Sequence, residues 1–275
     1  MGIHKNQNWY FKKAIGVGLV ICLCFFIWSF TTQVDPTPLY IKTIVLDAGH
    51  GGKDPGCLGT KLGTKEKDVN LDVVLKLGKL LKENLPQIKV LYTRKDDKFI
   101  ELGARATVAN NAKADLFISI HANSGPEWMC GTETYAMGVD KTEKKMTVAK
   151  RENASILLEK GYKEKYGNFN PNAPESYILF SLSQNMFLQN SLMLAKQVER
   201  HFGERPERWS RGVKQAGFLV LWRTTTPSIL IETGFLSNRE EEKYLSTNVG
   251  RADVAHDIFC AIVAYNEELK ALQGE

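Results

Sequence analysis

An α/β fold, a single domain on a mainly parallel central sheet flanked by helices, is what this sequence predicts, and three observations predict it. Short apolar runs at 44–46, 89–93, 115–120 and 227–231 alternate with stretches of helical periodicity at 66–83, 102–113 and 252–269. That alternation implies parallel strands joined by crossover helices. Three of the runs lead into a histidine or a glutamate, namely His50, His121 and Glu232. With 275 residues, 43% of them hydrophobic and 24% charged, the chain can bury one large core.

Taken in order, residues 1–13 hold Lys5, Lys12 and Lys13 and no acid, and 14–30 (AIGVGLVICLCFFIWSF) is an uncharged apolar run. Its length is at the lower limit for a membrane span and above the usual core of a signal peptide. The lysines predict a cytoplasmic 1–13 with the rest of the chain across the membrane. A transmembrane anchor or a cleaved signal segment both fit; no convincing A-x-A site follows, which favours the anchor. Residues 31–40, with Pro36 and Pro38, read as a linker, and the catalytic-size domain spans 41–270. The formal net charge is +5, of which the three lysines before Asp35 account for three. The remaining +2 is too mild to argue for nucleic acid, and no basic stripe is interleaved with aromatics.

Ile41, Ile44, Val45 and Leu46 form a buried strand that runs into Asp47-Ala48-Gly49-His50-Gly51-Gly52, where the glycines permit a sharp turn. The helix that follows sets Val69, Val73, Val74, Leu77, Leu80 and Leu81 at helical spacing, with Glu66 at its start. Taken alone, Glu66 there does no more than complement the helix dipole. A second strand (89–93), a helix (102–113) and a third strand (115–120) lead to His121-Ala122-Asn123, and a fourth strand runs into Glu232-Thr233-Gly234-Phe235. Cys57 and Cys130 each follow a histidine motif and could pair in a disulfide, while Cys260 lies in an apolar helical stretch and reads as core.

In such a sheet the sites lie at the carboxyl ends of the strands. Two histidines and a carboxylate that leave one position open make a catalytic zinc set, so His50, Glu66 and His121 are candidate ligands of one Zn2+. A further carboxylate beside them, Glu232, could act as general base. Other chemistries are thinner. No G-x-S-x-G elbow is present, Cys57 has no orienting partner, and the Gly49–Gly52 glycines lack the spacing of a phosphate loop. His201 and His256 read as solvated or packed helix residues.

The set Asp47-Ala-Gly-His50-Gly-Gly, Asp54-Pro-Gly, Glu66-Lys67-x-x-Asn70-Leu71, Ser119-Ile-His121-Ala-Asn123 and Glu232-Thr-Gly-Phe235-Leu-Ser-Asn238 resembles the zinc-dependent N-acetylmuramoyl-L-alanine amidases of bacterial cell-wall turnover. The resemblance implies a sheet of about six strands, His50, Glu66 and His121 as zinc ligands and Glu232 as the catalytic residue. It further implies peptidoglycan as substrate, cleaved at the amide between the lactyl group of N-acetylmuramic acid and L-alanine, in the cell envelope. An inactive peptidoglycan-binding scaffold on the same fold, or a zinc peptidase of the envelope, is the alternative. Asn123 is a candidate for orienting the loop or the substrate, and Glu101 and Arg105, at i, i+4 spacing, read as a structural ion pair.

Residues 136–190 exceed the connection found in minimal members of that family. They resemble the helical segment with which division-associated amidases block their zinc site until a protein activator displaces it. Glu152 or Glu159, which flank the apolar run 154–158, is the carboxylate expected to occupy the open zinc position.

Overall fold

Strands buried on both faces carry continuous apolar runs, and the centre of this sheet follows that rule. The computed structural model describes residues 40–138, 143–177, 186–206 and 208–272; the anchor or signal segment at 14–30 lies outside them. The strands are β1 (Thr43–Ala48), β2 (Lys89–Tyr92), β3 (Leu116–Asn123), β4 (Thr132–Met137), β5 (Ser210–Ala216) and β6 (Ser228–Phe235). They form one sheet in the order β2-β1-β3-β6-β4-β5, parallel at every pairing except the antiparallel one between β6 and β4. No residue of β3 or β6 is exposed.

Eight α-helices are present among the described residues: α1 (Glu66–Asn84), α2 (Leu102–Asn111), α3 (Glu143–Asn153), α4 (Tyr162–Lys165), α5 (Leu188–Gly203), α6 (Leu219–Trp222), α7 (Arg239–Ser246) and α8 (Asn248–Leu272). α8 packs against α1 and α5. Val45, Phe117, Tyr135 and Leu230 share a cluster with Leu102, Ala109, Phe218 and Leu221, and the insertion adds Val148, Ile156, Tyr166, Phe169 and Tyr177 to it. The long connection is therefore part of the core. Asn153 ties it further, donating through Nδ2 to the Gly217 carbonyl (2.8 Å) and accepting from the Leu219 N–H (2.8 Å).

Two strands depart from the sequence expectation. β4 (TETYAM) is fully buried yet polar, because Glu199 of α5 accepts from Thr132 and Thr134 (3.0 and 2.6 Å), and Lys214, Arg211 and Asn123 neutralise and bond Glu133. β5 is a half-buried edge strand of mixed composition. Neither has an apolar pattern to read.

The Glu101–Arg105 pair does not form. Glu101 is the residue before α2, with ψ 144, so helical i, i+4 geometry does not apply to it. Its carboxylate pairs with Lys165 instead (2.7 Å). Arg105 turns inward to the buried Asp47 (2.8 Å) and donates to the carbonyls of Ala48 (2.7 Å) and His50 (2.8 Å). The disulfide left open for Cys57 and Cys130 is not formed: both are free, and the Cys57 thiol donates to the Ala122 carbonyl (3.1 Å). Cys260 is half-buried, not core.

Removing Arg105 would leave the Asp47 carboxylate buried without its counter-charge. Arg105→Ala is expected to lower the unfolding free energy by about 3–5 kcal/mol. Glu101→Ala breaks an exposed pair and should cost under about 1 kcal/mol. Urea denaturation of the two variants checks this, and equal losses would refute it.

Candidate metal centre

The site begins with the turn after β1. His50 has φ 59, a left-handed conformation that costs a non-glycine residue about 1–2 kcal/mol, and neighbouring arginines hold it there. Arg94 donates to the carbonyls of Ala48 (2.9 Å) and Gly49 (2.8 Å), and Arg105 to that of His50 itself. Position 49 must be glycine, because a Cβ there would overlap the His121 imidazole. His121 ends its run on β3, paired in register with Glu232 on the neighbouring β6. Glu66 opens α1. All four residues lie at one edge of the sheet, as the sequence predicts.

His50, Glu66 and His121 are joined by Glu152, from the last turn of α3, and their ligand atoms all lie within 4.8 Å of one another. His50 Nε2 is 3.1 Å from Glu66 Oε1 and 3.0 Å from Glu152 Oε2, and His121 Nδ1 is 3.0 Å from each of the same two oxygens. Despite these distances, His50 Nε2 and Glu152 Oε2 are buried without a hydrogen bond. His121 Nδ1 does meet Glu66 Oε1 at hydrogen-bond distance, and four donors that converge with two of them left unbonded suit a shared cation. A tetrahedron with metal–ligand distances of about 2.0 Å has edges of about 3.3 Å, close to those spacings.

The surroundings set the donors' orientation. His50 Nδ1 meets Asp54 Oδ2 at 2.9 Å, which turns the Nε2 lone pair towards the other donors. Asp54 also accepts from the Ser155 hydroxyl (2.7 Å), a contact from the insertion. Glu66 accepts from the N–H groups of Ala122 (3.1 Å) and Cys57 (2.8 Å). Against the cost of burial, the carboxylates of Glu66, Asp54 and Glu152 raise the His50 pKa well above its usual value, and Glu152 and Glu66 raise His121 to about 9. Burial opposes the charge of Glu66 too, but His50 and His121 hold its pKa well below the usual range.

Glu232 is fully buried, and its Oε2 has no hydrogen-bond partner. Burial first, and Glu152 second, raise its pKa to about 8, against the pull of Arg151. A carboxyl group so tuned is able to accept a proton near neutral pH. Arg151 was not apparent from the sequence. It donates to Glu152 (2.8 Å), the Ser124 carbonyl (2.8 Å), Asn123 Oδ1 (3.0 Å) and Glu232 Oε1 (3.3 Å). Asn123 in turn donates to Glu133 (3.0 Å).

Glu159 does not reach the site. It follows the 3-10 turn Ala154–Leu158 in extended conformation and accepts from the Leu102 N–H (2.9 Å), at the start of α2, and the Tyr166 hydroxyl (3.0 Å). Of the two insertion carboxylates, only Glu152 joins the cluster. Asp54 stands in the sequence as part of its Asp-Pro-Gly motif with no role assigned to it, and Arg151 was not legible because its partners Asn123 and Glu232 lie on β3 and β6.

The profile of the N-acetylmuramoyl-L-alanine amidase family matches residues 44–264. The chain belongs to that family. It is 38% identical over 226 residues to the amidase AmiC of Escherichia coli O6:H1, covering 81% of this chain but 52% of AmiC, so it spans about half the length of that relative. To AmiA of Escherichia coli K12 it is 33% identical over 229 residues, covering 82% of this chain and 76% of AmiA. Among solved structures, the CwlD amidase of Clostridioides difficile, in complex with the GerS lipoprotein, is similar with a TM-score of 0.58 at 27% identity, covering 82% of this chain and 98% of CwlD. Amidases of this family act on peptidoglycan, and the donor cluster found here is one that could bind a metal.

With His121 raised to about 9, protons compete with a cation for the site at every pH below that value. Zn2+ binding to the metal-free chain is therefore expected to release protons, with affinity falling as the pH is lowered from 9. Calorimetry in buffers of different ionisation enthalpy measures the proton count. Binding with no proton release would refute the assignment.

Proposed function

We propose that this chain is a zinc-dependent N-acetylmuramoyl-L-alanine amidase, held at rest by its own insertion. The observation that carries the proposal is the convergence of His50, Glu66, His121 and Glu152 beside the buried Glu232. Three of these donors match the ligand set expected from the sequence, and the fourth comes from the segment expected to block it. The site's own chemistry favours zinc, since two imidazoles with carboxylates are a common zinc set.

A zinc ion held by His50, Glu66 and His121 would supply Lewis-acid polarisation of the scissile carbonyl and acidify water. Glu232 takes the proton from the attacking water and passes it to the departing nitrogen of L-alanine. Asn123, anchored through Nδ2 on Glu133, offers its Oδ1 to an N–H donor of the substrate. In the resting arrangement two neighbouring residues obstruct these events. Glu152 would be a fourth ligand where His50, Glu66 and His121 would hold the ion, and Arg151 covers Glu232 and Asn123.

The domain at 41–270 works in the cell envelope, on its periplasmic or extracellular side, tethered by 14–30 or released by cleavage of that segment. Its product supports cell-wall turnover or daughter-cell separation. A protein activator acting on 136–190 would lift the end of α3; the likeness to an amidase solved with a lipoprotein supports a partner of this kind.

Glu232→Ala is expected to keep one zinc per chain while release of stem peptides from purified peptidoglycan falls by about 10²–10⁴-fold. Loss of zinc with activity would argue against the proton-transfer role. Because the insertion contributes to the core, restraint is better tested by a point change than by deletion. Glu152→Ala should raise basal hydrolysis at least about tenfold, equivalent to about 1.4 kcal/mol of restraint; unchanged or lower activity with zinc still bound would rule out autoinhibition through Glu152.

A further inference from the structure

Two large aromatic rings stand in solvent at the edge of the sheet that carries the site. Trp128 is 77% exposed and Trp209 is 68% exposed. β4 runs antiparallel to β6 with Glu133 opposite Glu232, and β5 runs parallel to β4 with Ser210 opposite Thr132. The residues just before β4 and β5 therefore lie at the edge where β6 delivers Glu232. With strands about 4.8 Å apart, Ser210 is about 10 Å across the sheet from Glu232.

The exposure is built into a held frame. In the loop before β4, the Gly125 N–H donates to Ser237 Oγ (2.9 Å), the Glu127 carbonyl accepts from Asn238 (2.9 Å), and the Gly131 N–H donates to Glu241 (3.0 Å). The Trp209 carbonyl accepts from the Thr132 N–H (2.8 Å), which locks the two tryptophan-bearing segments together. Gly131 has φ 104, and a Cβ there would collide with that carbonyl. Fixed loops that present bare indoles to water forgo the burial that normally accompanies tryptophan.

We propose that Trp128 and Trp209 form a platform for the saccharide chain of peptidoglycan. Pyranose rings present faces of C–H groups that carry partial positive charge, and these stack on the negative face of an indole. Lys61 and Glu127, paired at 3.5 Å, and Arg211, which donates to the Cys130 carbonyl, stand beside these segments and offer partners to sugar hydroxyls. A polymer whose lactyl amide lies at Glu232 continues along this edge. The platform rests on the amidase reading for its substrate and adds to it how the glycan is gripped outside the reacting centre.

The test uses the full chain and fluorescently labelled glycan strands freed of their peptides, with binding read by anisotropy. Trp128→Ala with Trp209→Ala should weaken binding about tenfold, equivalent to about 1.4 kcal/mol, while Trp128→Phe with Trp209→Phe keeps most of it. The alanine pair should also raise the KM for intact peptidoglycan without changing kcat, and leave cleavage of a single-sugar muramoyl peptide unchanged. Unaltered glycan affinity, or equal losses on the polymer and the small substrate, would overturn the platform. So would binding to anionic phospholipid vesicles that depends on the two rings while glycan binding does not. Glycan binding needs no hydrolysis, so tryptophan-dependent binding by a chain that releases no stem peptide even as Glu152→Ala with zinc bound would sink the amidase reading and leave the platform standing.

Discussion

The carboxylate of Asp47 anchors the geometry on which the site depends. It is fully buried, accepts from Thr93 (2.6 Å), Ser119 (2.7 Å) and Arg105 (2.8 Å), and those partners hold its pKa down despite the burial. Arg105 spends its other donors on the backbone of the turn that follows, and Arg94 covers the carbonyls between. A charge deep in the sheet thus fixes a left-handed histidine at its rim. Ligand geometry is set from below, by groups that never touch the other donors.

Above that anchor the dominant constraint is an excess of negative charge. Glu66, Glu152 and Glu232 are all buried within one small region, and the two histidines and Arg151 balance them. Burial first, and the charge of Glu152 second, push the Glu232 pKa up, whereas His50 and His121 hold that of Glu66 down against its own burial. A divalent cation among the four donors would relieve the repulsion, and the unbonded His50 Nε2 and Glu152 Oε2 are the atoms best placed to meet it. The insertion contributes one acid and one base from consecutive positions, so it closes the site with no net change of charge.

How far the sequence could be read followed from whether the signal was local. β1, β3 and β6 are buried on both faces and announce themselves as apolar runs, and their polar termini pointed to His50, His121 and Glu232. α1 and α8 declared themselves by periodicity. β4 stayed hidden because its buried threonines and Glu133 are satisfied by α5 and β5, residues some 65 to 80 positions away. The same non-locality explains Arg105, whose partner lies on another strand and not one turn along its helix. Glu152 and Glu159 could not be told apart by composition, since a 3-10 turn between them sends one into the donor cluster and the other to the start of α2.

Glu152 gives the insertion a second meaning. Binding energies between two ligands of one macromolecule are reciprocal, and here the latch and the ion would share an atom. Whatever affinity a metal draws from Glu152 is also the strength with which the metal holds α3 in place. An opened site would then grip its ion with one donor fewer. The wakened form would be the one most vulnerable to metal loss and the dormant form the one to endure, so that dormancy would double as a way of keeping the ion.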